Sequence, residues 1–214
     1  RQKMNMMTHL KRWMLAAILI CSQSSTMMSY SEEDRPKLFV ETESQKTEIT
    51  NEASLLCVKP DYLKAGDKVA LISPSYFTPM DNVLKTADVL RSWGLIPVIG
   101  PNVGKVVVGQ YAGTVAERVS DIRWALSDPS IKAIICNRGG YGSIQMIDWL
   151  PLAELKAFSK WMVGFSDIST FHGLWNNAGV MSIHGTMSSF LAKGGTDETS
   201  TLMRDLLMGQ VPCY

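Results

Sequence analysis

A glycine-rich loop between a predicted strand and a predicted helix holds the residue best placed for chemistry. The loop follows an apolar run that ends at Cys136, and its residues are Asn137, Arg138, Gly139, Gly140, Tyr141, Gly142 and Ser143. Three glycines allow positive φ angles and close approach of the backbone, which a sharp strand-to-helix turn requires. We expect Ser143 at the start of the helix, with its hydroxyl at the sheet edge beside free backbone amides. An acyl-transfer nucleophile needs this arrangement, because the amides stabilise the oxyanion that its attack creates.

The residues alone leave three interpretations of this loop open. The loop departs from the strict G-x-S-x-G elbow, because Tyr141 stands two residues before the serine and Gln145 two residues after it. Ser143 can be a helix N-cap without chemistry, the loop can bind a phosphate at the helix N-terminus, or Ser143 can be a nucleophile. For a nucleophile, the backbone amides of Gly140 and Ile144 are the expected oxyanion donors.

Strands and helices are predicted to alternate around this loop. Short apolar runs predict strands at residues 69–72, 95–99, 131–136, 161–165 and 180–183. Helical periodicity predicts a helix that ends at Gly94, with one apolar face formed by Val83, Leu84, Ala87, Leu90 and Trp93. A capping box of Thr114 and Glu117 starts the next helix, whose apolar stripe is Val115, Val119, Ile122 and Leu126. Further helices are expected over residues 143–149, around Leu152, Leu155 and Phe158, and over residues 168–177.

The strands lack alternation of apolar and polar residues, which is typical of parallel strands covered on both faces. The sequence therefore predicts an α/β domain with an open, doubly wound, mainly parallel sheet. Ligands of such sheets bind at the carboxyl ends of the strands. The loops after Ile72, Cys136, Phe165 and Ile183 are expected to share one functional edge.

The composition excludes several classes of function. With a net charge of +1, and no basic stripe, the chain gives no reason to expect a nucleic-acid partner. The four cysteines are far apart, only three histidines are present, and no metal site is predicted. A hydrophobic content of 46% supports a real core.

The chain divides into four predicted segments. Residues 1–25 combine basic residues with a short apolar run from Trp13 to Cys21 and then small residues, which indicates a signal peptide. Export to the periplasm or cell envelope follows, with the cytoplasm as the alternative and lipidation of Cys21 left open. Residues 26–57 are a polar linker, residues 58–190 the α/β domain, and residues 191–214 the start of a connection to a further domain.

Several segments in order resemble the LD-carboxypeptidase family, which includes muramoyltetrapeptide carboxypeptidases and microcin-immunity peptidases. The resemblance covers residues 58–190 and rests on residues 60–75, 109–114, 131–143, 164–168 and 184–185. It implies that Ser143 is the nucleophile of a Ser-Glu-His triad, without metal or cofactor. It also implies that the glutamate and histidine come from a second, carboxyl-terminal domain, so that the present residues are inactive alone.

The resemblance further implies the substrate, an L,D-amide bond in a murein-type peptide from which terminal D-alanine is released through an acyl-enzyme. A homodimer is left open. Tyr141 and Gly142 then belong to the substrate site, with His184 lining the pocket. His172 and His184 are expected as structural histidines in preference to a base, and Asp167 holds the loops together or caps a helix. Thr186 stands where the family usually has proline.

Two other functions compete with a peptidase. One is a non-catalytic, flavodoxin-like module that binds a phosphate or nucleotide at residues 139–143. The other is a catalytically dead interaction protein that has lost the second domain.

Overall fold

The computed structural model describes residues 57–210. The predicted signal peptide, the linker up to residue 56 and residues 211–214 lie outside the described residues. None of the described helices is long and apolar enough to cross a bilayer.

In the part of the chain that the structure describes, five strands form one parallel sheet in the order β2-β1-β3-β4-β5. Their bounds are β1 Lys68–Ile72, β2 Ile96–Ile99, β3 Ile131–Cys136, β4 Trp161–Gly164 and β5 Ile183–His184. β2 lies on one side of β1, and β3, β4 and β5 follow in order on the other side. Helices join successive strands. The predicted open α/β sheet is confirmed.

Residues 57–210 contain six α-helices and three 3-10 helices, and the last two α-helices follow β5. The α-helices are α1 Met80–Ser92, α2 Val115–Ser127, α3 Leu152–Ala157, α4 Ser169–Asn177, α5 Ser188–Leu191 and α6 Glu198–Leu207. The 3-10 helices are Val108–Gln110, Ser143–Trp149 and Ser166–Ile168. The Thr114–Glu117 capping box is present at the start of α2, and Gly94 follows α1 with φ 80°. Both local predictions are confirmed.

Two hydrophobic clusters cover the two faces of the sheet. Ala70 and Ile72 of β1 pack in one cluster with residues of α2 and α4. Val69 and Leu71 pack in the other with residues of α1 and α6. Because successive side chains of a strand point to opposite faces, this division shows that β1 is buried on both sides.

The structure corrects several details of the sequence prediction. Leu84, Leu152 and Phe158 are more than 40% exposed, although their spacing placed them on apolar helix faces. Val180 forms an isolated bridge with Val58, so the last strand starts at Ile183 instead. Helical periodicity identifies the apolar face of a helix, but tertiary packing decides how much of that face the neighbouring elements bury.

Residues after position 190 also belong to this packing unit. Asp197 caps α6 through the backbone N–H of Ser200, and α6 buries Met203 and Leu207 in the core. The Leu63 amide donates to the Leu207 carbonyl at 2.8 Å. The predicted boundary at residue 190 is therefore too early, because an amphipathic helix beyond it completes the core.

Candidate active site

The turn between β4 and α4 has the backbone of a strained elbow. Ser166 follows the end of β4 with φ 63°, and Gln110 is the other non-glycine residue with positive φ in the described part of the chain. A left-handed conformation costs a residue with a Cβ roughly 1–2 kcal/mol. Ser166 is an exposed residue. A sharp strand-to-helix turn that presents an exposed serine is the geometry of a nucleophile elbow.

Two glycines make room for this elbow. A Cβ at Gly164 would lie 2.8 Å from Cγ2 of Ile168, so only glycine permits the close packing of strand and helix. A Cβ at Gly139 would lie 3.3 Å from the Ser166 Oγ. The backbone of the glycine-rich loop therefore passes directly beside the Ser166 side chain. Gly164 stands two residues before Ser166, which is the first half of the G-x-S-x-G pattern.

Ser143 does not have the predicted geometry. Its exposure is 0%, and its Oγ donates to the main-chain carbonyl of Asp167 at 2.6 Å. The expected hydroxyl at the open sheet edge is wrong, because Gly142, at φ 120°, occupies the N-cap position and the Ser143 side chain turns inward. The N-cap interpretation of Ser143 is wrong for the same reason.

Asp167 connects three of the loops at the sheet edge. One oxygen of its carboxylate, Oδ2, accepts from the Ser143 amide at 3.0 Å and also from the Ser75 hydroxyl. The expected role of Asp167 in holding the loops together is therefore seen in the structure. An internal carboxylate also takes the Ser143 amide that a bound phosphate would use, which argues against the phosphate-binding interpretation of the loop.

Arg118 of α2 forms hydrogen bonds with the backbone of the same loops. Its guanidinium is buried and its Nη1 donates to the carbonyls of Pro74 at 2.9 Å and Gly142 at 3.0 Å. Burial lowers the pKa of Arg118, while Tyr111 and Asp167 oppose that change. Sequence reasoning missed this residue, although a charged side chain next to Val119 on the apolar stripe of α2 was a usable signal.

Aromatic side chains border the glycine-rich loop. A Cβ at Gly140 would lie 2.4 Å from the ring of Tyr76, and Gly140 has φ 125°. The Tyr111 ring lies between Tyr76, at 5.7 Å, and Tyr141, at 6.4 Å. Tyr141 is 53% exposed, and its role in the substrate site stays a prediction. The oxyanion roles assigned to Gly140 and Ile144 stay predictions.

The two described histidines have different surroundings. His172 Nε2 lies 2.8 Å from the Gly164 carbonyl, and Nδ1 lies 2.9 Å from the Ser182 hydroxyl. Because a carbonyl only accepts, Nε2 carries the proton, and His172 has the structural role that was expected. Burial lowers its pKa.

His184 is exposed and lines a cavity of about 520 Å³ together with Phe165, the residue before Ser166. In residues 57–210, no group of three or more His, Cys, Asp or Glu side chains is placed to hold a metal ion.

The comparisons with known proteins agree with this fold. The sequence profile of the LD-carboxypeptidase N-terminal domain matches residues 69–185, which is more than half of the chain. The chain belongs to the LD-carboxypeptidase family.

Two curated relatives are carboxypeptidases by name. A putative carboxypeptidase of Streptomyces coelicolor is 38% identical over 136 residues, covering 62% of this chain and 44% of that protein. The murein tetrapeptide carboxypeptidase of Pseudomonas aeruginosa is 34% identical over 128 residues, covering 58% of this chain and 40% of that protein. The chain thus spans less than half the length of these relatives.

Solved structures show the same architecture. The MccF-like protein of Bacillus anthracis has a TM-score of 0.66 at 24% identity, covering 70% of this chain and 47% of that one. The muramoyltetrapeptide carboxypeptidase of Oxalobacter formigenes has a TM-score of 0.60 at 26% identity, covering 65% of this chain and 47% of that one.

Proposed function

We propose that this chain carries the nucleophile of a serine LD-carboxypeptidase, and that the nucleophile is Ser166. The substrate is a murein-type peptide, and the bond cleaved is an amide between an L-configured and a D-configured residue. The relatives named as carboxypeptidases support the reaction class. The observation that carries the assignment is that Ser166 is an exposed residue with left-handed backbone between β4 and its following helix.

The proposed reaction has two steps. The Ser166 Oγ attacks the carbonyl carbon and gives its proton to a base, which passes that proton to the leaving amine as the C–N bond breaks. The D-amino acid departs, and water then hydrolyses the ester on Ser166. A glutamate and a histidine from outside residues 57–210 supply the base, as the family resemblance implies. Residues 57–210 alone are therefore expected to be inactive.

Main-chain donors around Ser166 can stabilise the oxyanion. Asp167 is in the first helical turn after the serine, where backbone amides lack intrahelical partners. The Gly140 amide, in the loop that passes beside Ser166, donates to no group in the described part of the chain. Elbow nucleophiles use this combination, the amide after the serine and one from a neighbouring strand-end loop.

Ser143 supplies the matched control for this assignment. The protein is expressed from its complete coding sequence and assayed for release of D-alanine from murein tetrapeptide. Ser166→Ala should lower kcat by at least about 1,000-fold, as loss of a serine nucleophile does. Ser143→Ala should retain turnover well above that level. The opposite order, with Ser143→Ala inactive and Ser166→Ala active, would reject Ser166.

We also propose that residues 1–25 direct export. Fusing them to a reporter that is active only outside the cytoplasm tests this step. An active fusion is expected, and an inactive one contradicts it.

A further inference from the structure

A cavity next to the elbow is lined by aromatic residues and a lysine that have no role in the proposed reaction. Its volume is about 520 Å³, within the roughly 300–1,000 Å³ of small-molecule sites. It is lined by Phe165 and by nine residues between positions 184 and 199. Because Phe165 directly precedes Ser166, a residue of a peptide bound at the elbow can enter this space.

One wall of the cavity is aromatic. The Phe165 ring lies 5.5 Å from the ring of Phe190 and 6.0 Å from the ring of His184. Phe190 is 45% exposed. A large exposed aromatic surface at a concave site favours the aliphatic part of a ligand, since contact removes apolar area from water.

The residues that line the cavity include one lysine, Lys193. Its Nζ lies 5.1 Å from the centre of the Phe190 ring, and no carboxylate forms a salt bridge with it within residues 57–210. Asp197 also lines the cavity. Its carboxylate, however, accepts from the amide and the hydroxyl of Ser200, at 3.0 and 2.6 Å, and caps α6. Lys193 is therefore the cation of the cavity lining that can pair with an anionic ligand.

We propose that this cavity is a substrate subsite for a peptide residue with a free carboxylate, which pairs with the Lys193 ammonium while its aliphatic stem lies on Phe165 and Phe190. The inference rests on the proposed function. The carboxylate comes either from the C-terminus of the leaving D-residue or from the side chain of the residue next to the scissile bond.

Equilibrium binding tests the subsite separately from catalysis. The Ser166→Ala protein, made from its complete coding sequence, is titrated calorimetrically with three L,D-peptides: the free acid, its C-terminal amide and its side-chain amide. Lys193→Met in that background should weaken binding of the free acid by about three- to fivefold, the upper part of the range for an exposed ion pair. One amide should bind both proteins equally, and that amide identifies the carboxylate that Lys193 holds.

Lys132→Met is the control, because Lys132 is an exposed lysine on β3 near the opposite end of the sheet. It should leave all three affinities unchanged. Equal weakening of all three peptides by Lys193→Met, no weakening at all, or no binding by any peptide would each overturn the subsite. Failure of the proposed function would be seen in the D-alanine assay instead, as a Ser166→Ala protein that still releases D-alanine.

Discussion

Ser143 donates its hydroxyl proton to the main-chain carbonyl of Asp167 at 2.6 Å. This bond joins the loop after β3 to the residue directly after the exposed serine of the elbow. The two serines thus have separate positions: one is buried and fixes the turn, and the other is presented by it. A strained residue persists when its surroundings determine its conformation, and this contact is one such restraint on Ser166.

Removing the Ser143 hydroxyl should loosen the elbow without removing the nucleophile. Ser143→Ala leaves the Asp167 carbonyl without its buried donor, which should cost about 1–3 kcal/mol of unfolding free energy. We expect kcat to fall roughly tenfold with little change in KM, since the substrate contacts remain. Urea denaturation and steady-state kinetics measure both effects. A variant with unchanged stability would show that the bond does not support the turn.

Ser166→Gly should be more stable than Ser166→Ala. Glycine adopts a positive φ without steric cost, whereas alanine keeps the strain at φ 63°. A difference of about 1 kcal/mol is expected, in favour of glycine. Both variants lack the hydroxyl, so a comparison of their urea midpoints isolates the backbone effect. Equal midpoints would mean that the elbow is unstrained.

The two glycines beside the elbow should respond differently to alanine. At Gly140 the new Cβ would lie 2.4 Å from the Tyr76 ring at a positive φ, so Gly140→Ala should destabilise the fold by about 2 kcal/mol or more. At Gly139 the nearest atom is the Ser166 Cβ at 3.1 Å. Gly139→Ala should fold with a smaller loss but crowd the serine and lower turnover. Thermal melting and turnover, measured for both variants, distinguish loss of stability from loss of activity. A destabilised but fully active Gly139→Ala protein would contradict the position of Gly139 beside the catalytic serine.

Acid should destabilise the domain through His172. Burial is the main cause of its lowered pKa, and nearby His184 adds to it, while the hydrogen bond with the Gly164 carbonyl acts in the opposite direction. The unfolded chain then binds the proton more tightly, near the ordinary value of 6.5. Unfolding free energy must therefore fall as the pH drops from 6.5 through the lowered pKa.

His172→Gln provides the comparison, because glutamine can still donate to the Gly164 carbonyl and does not titrate. Urea denaturation at pH about 7.5 and about 5.5 should show a smaller acid loss in this variant than in the parent. The same acid loss in both proteins would assign the effect to other groups.

The architecture was predictable because buried parallel strands and capped helices leave local signals. The runs ending at Ile72 and Cys136 and the Thr114–Glu117 box all have their predicted structure. The exposure of Leu84 was not predictable, since it depends on which neighbours cover α1.

Local sequence signals did not identify which of the two serines, Ser143 or Ser166, has the geometry of a nucleophile. Three glycines favoured the loop before Ser143, yet the residue with unusual backbone geometry is Ser166. A non-glycine residue takes a left-handed conformation because distant parts of the chain restrain it, here the contacts of Asp167 with Ser75 and Ser143. Those contacts are invisible in sequence. The glycine two residues before Ser166 was visible, and it was the signal that could have identified the elbow.

Trapping the acyl-enzyme is the most direct measurement of the central claim. The protein from the complete coding sequence is mixed with a murein tetrapeptide, quenched in acid within the first turnover and digested, and mass spectrometry locates the acyl group. We predict the added mass on the peptide that contains Ser166, and its loss in Ser166→Ala. An acyl group on Ser143, with Ser166 unmodified, would contradict the account.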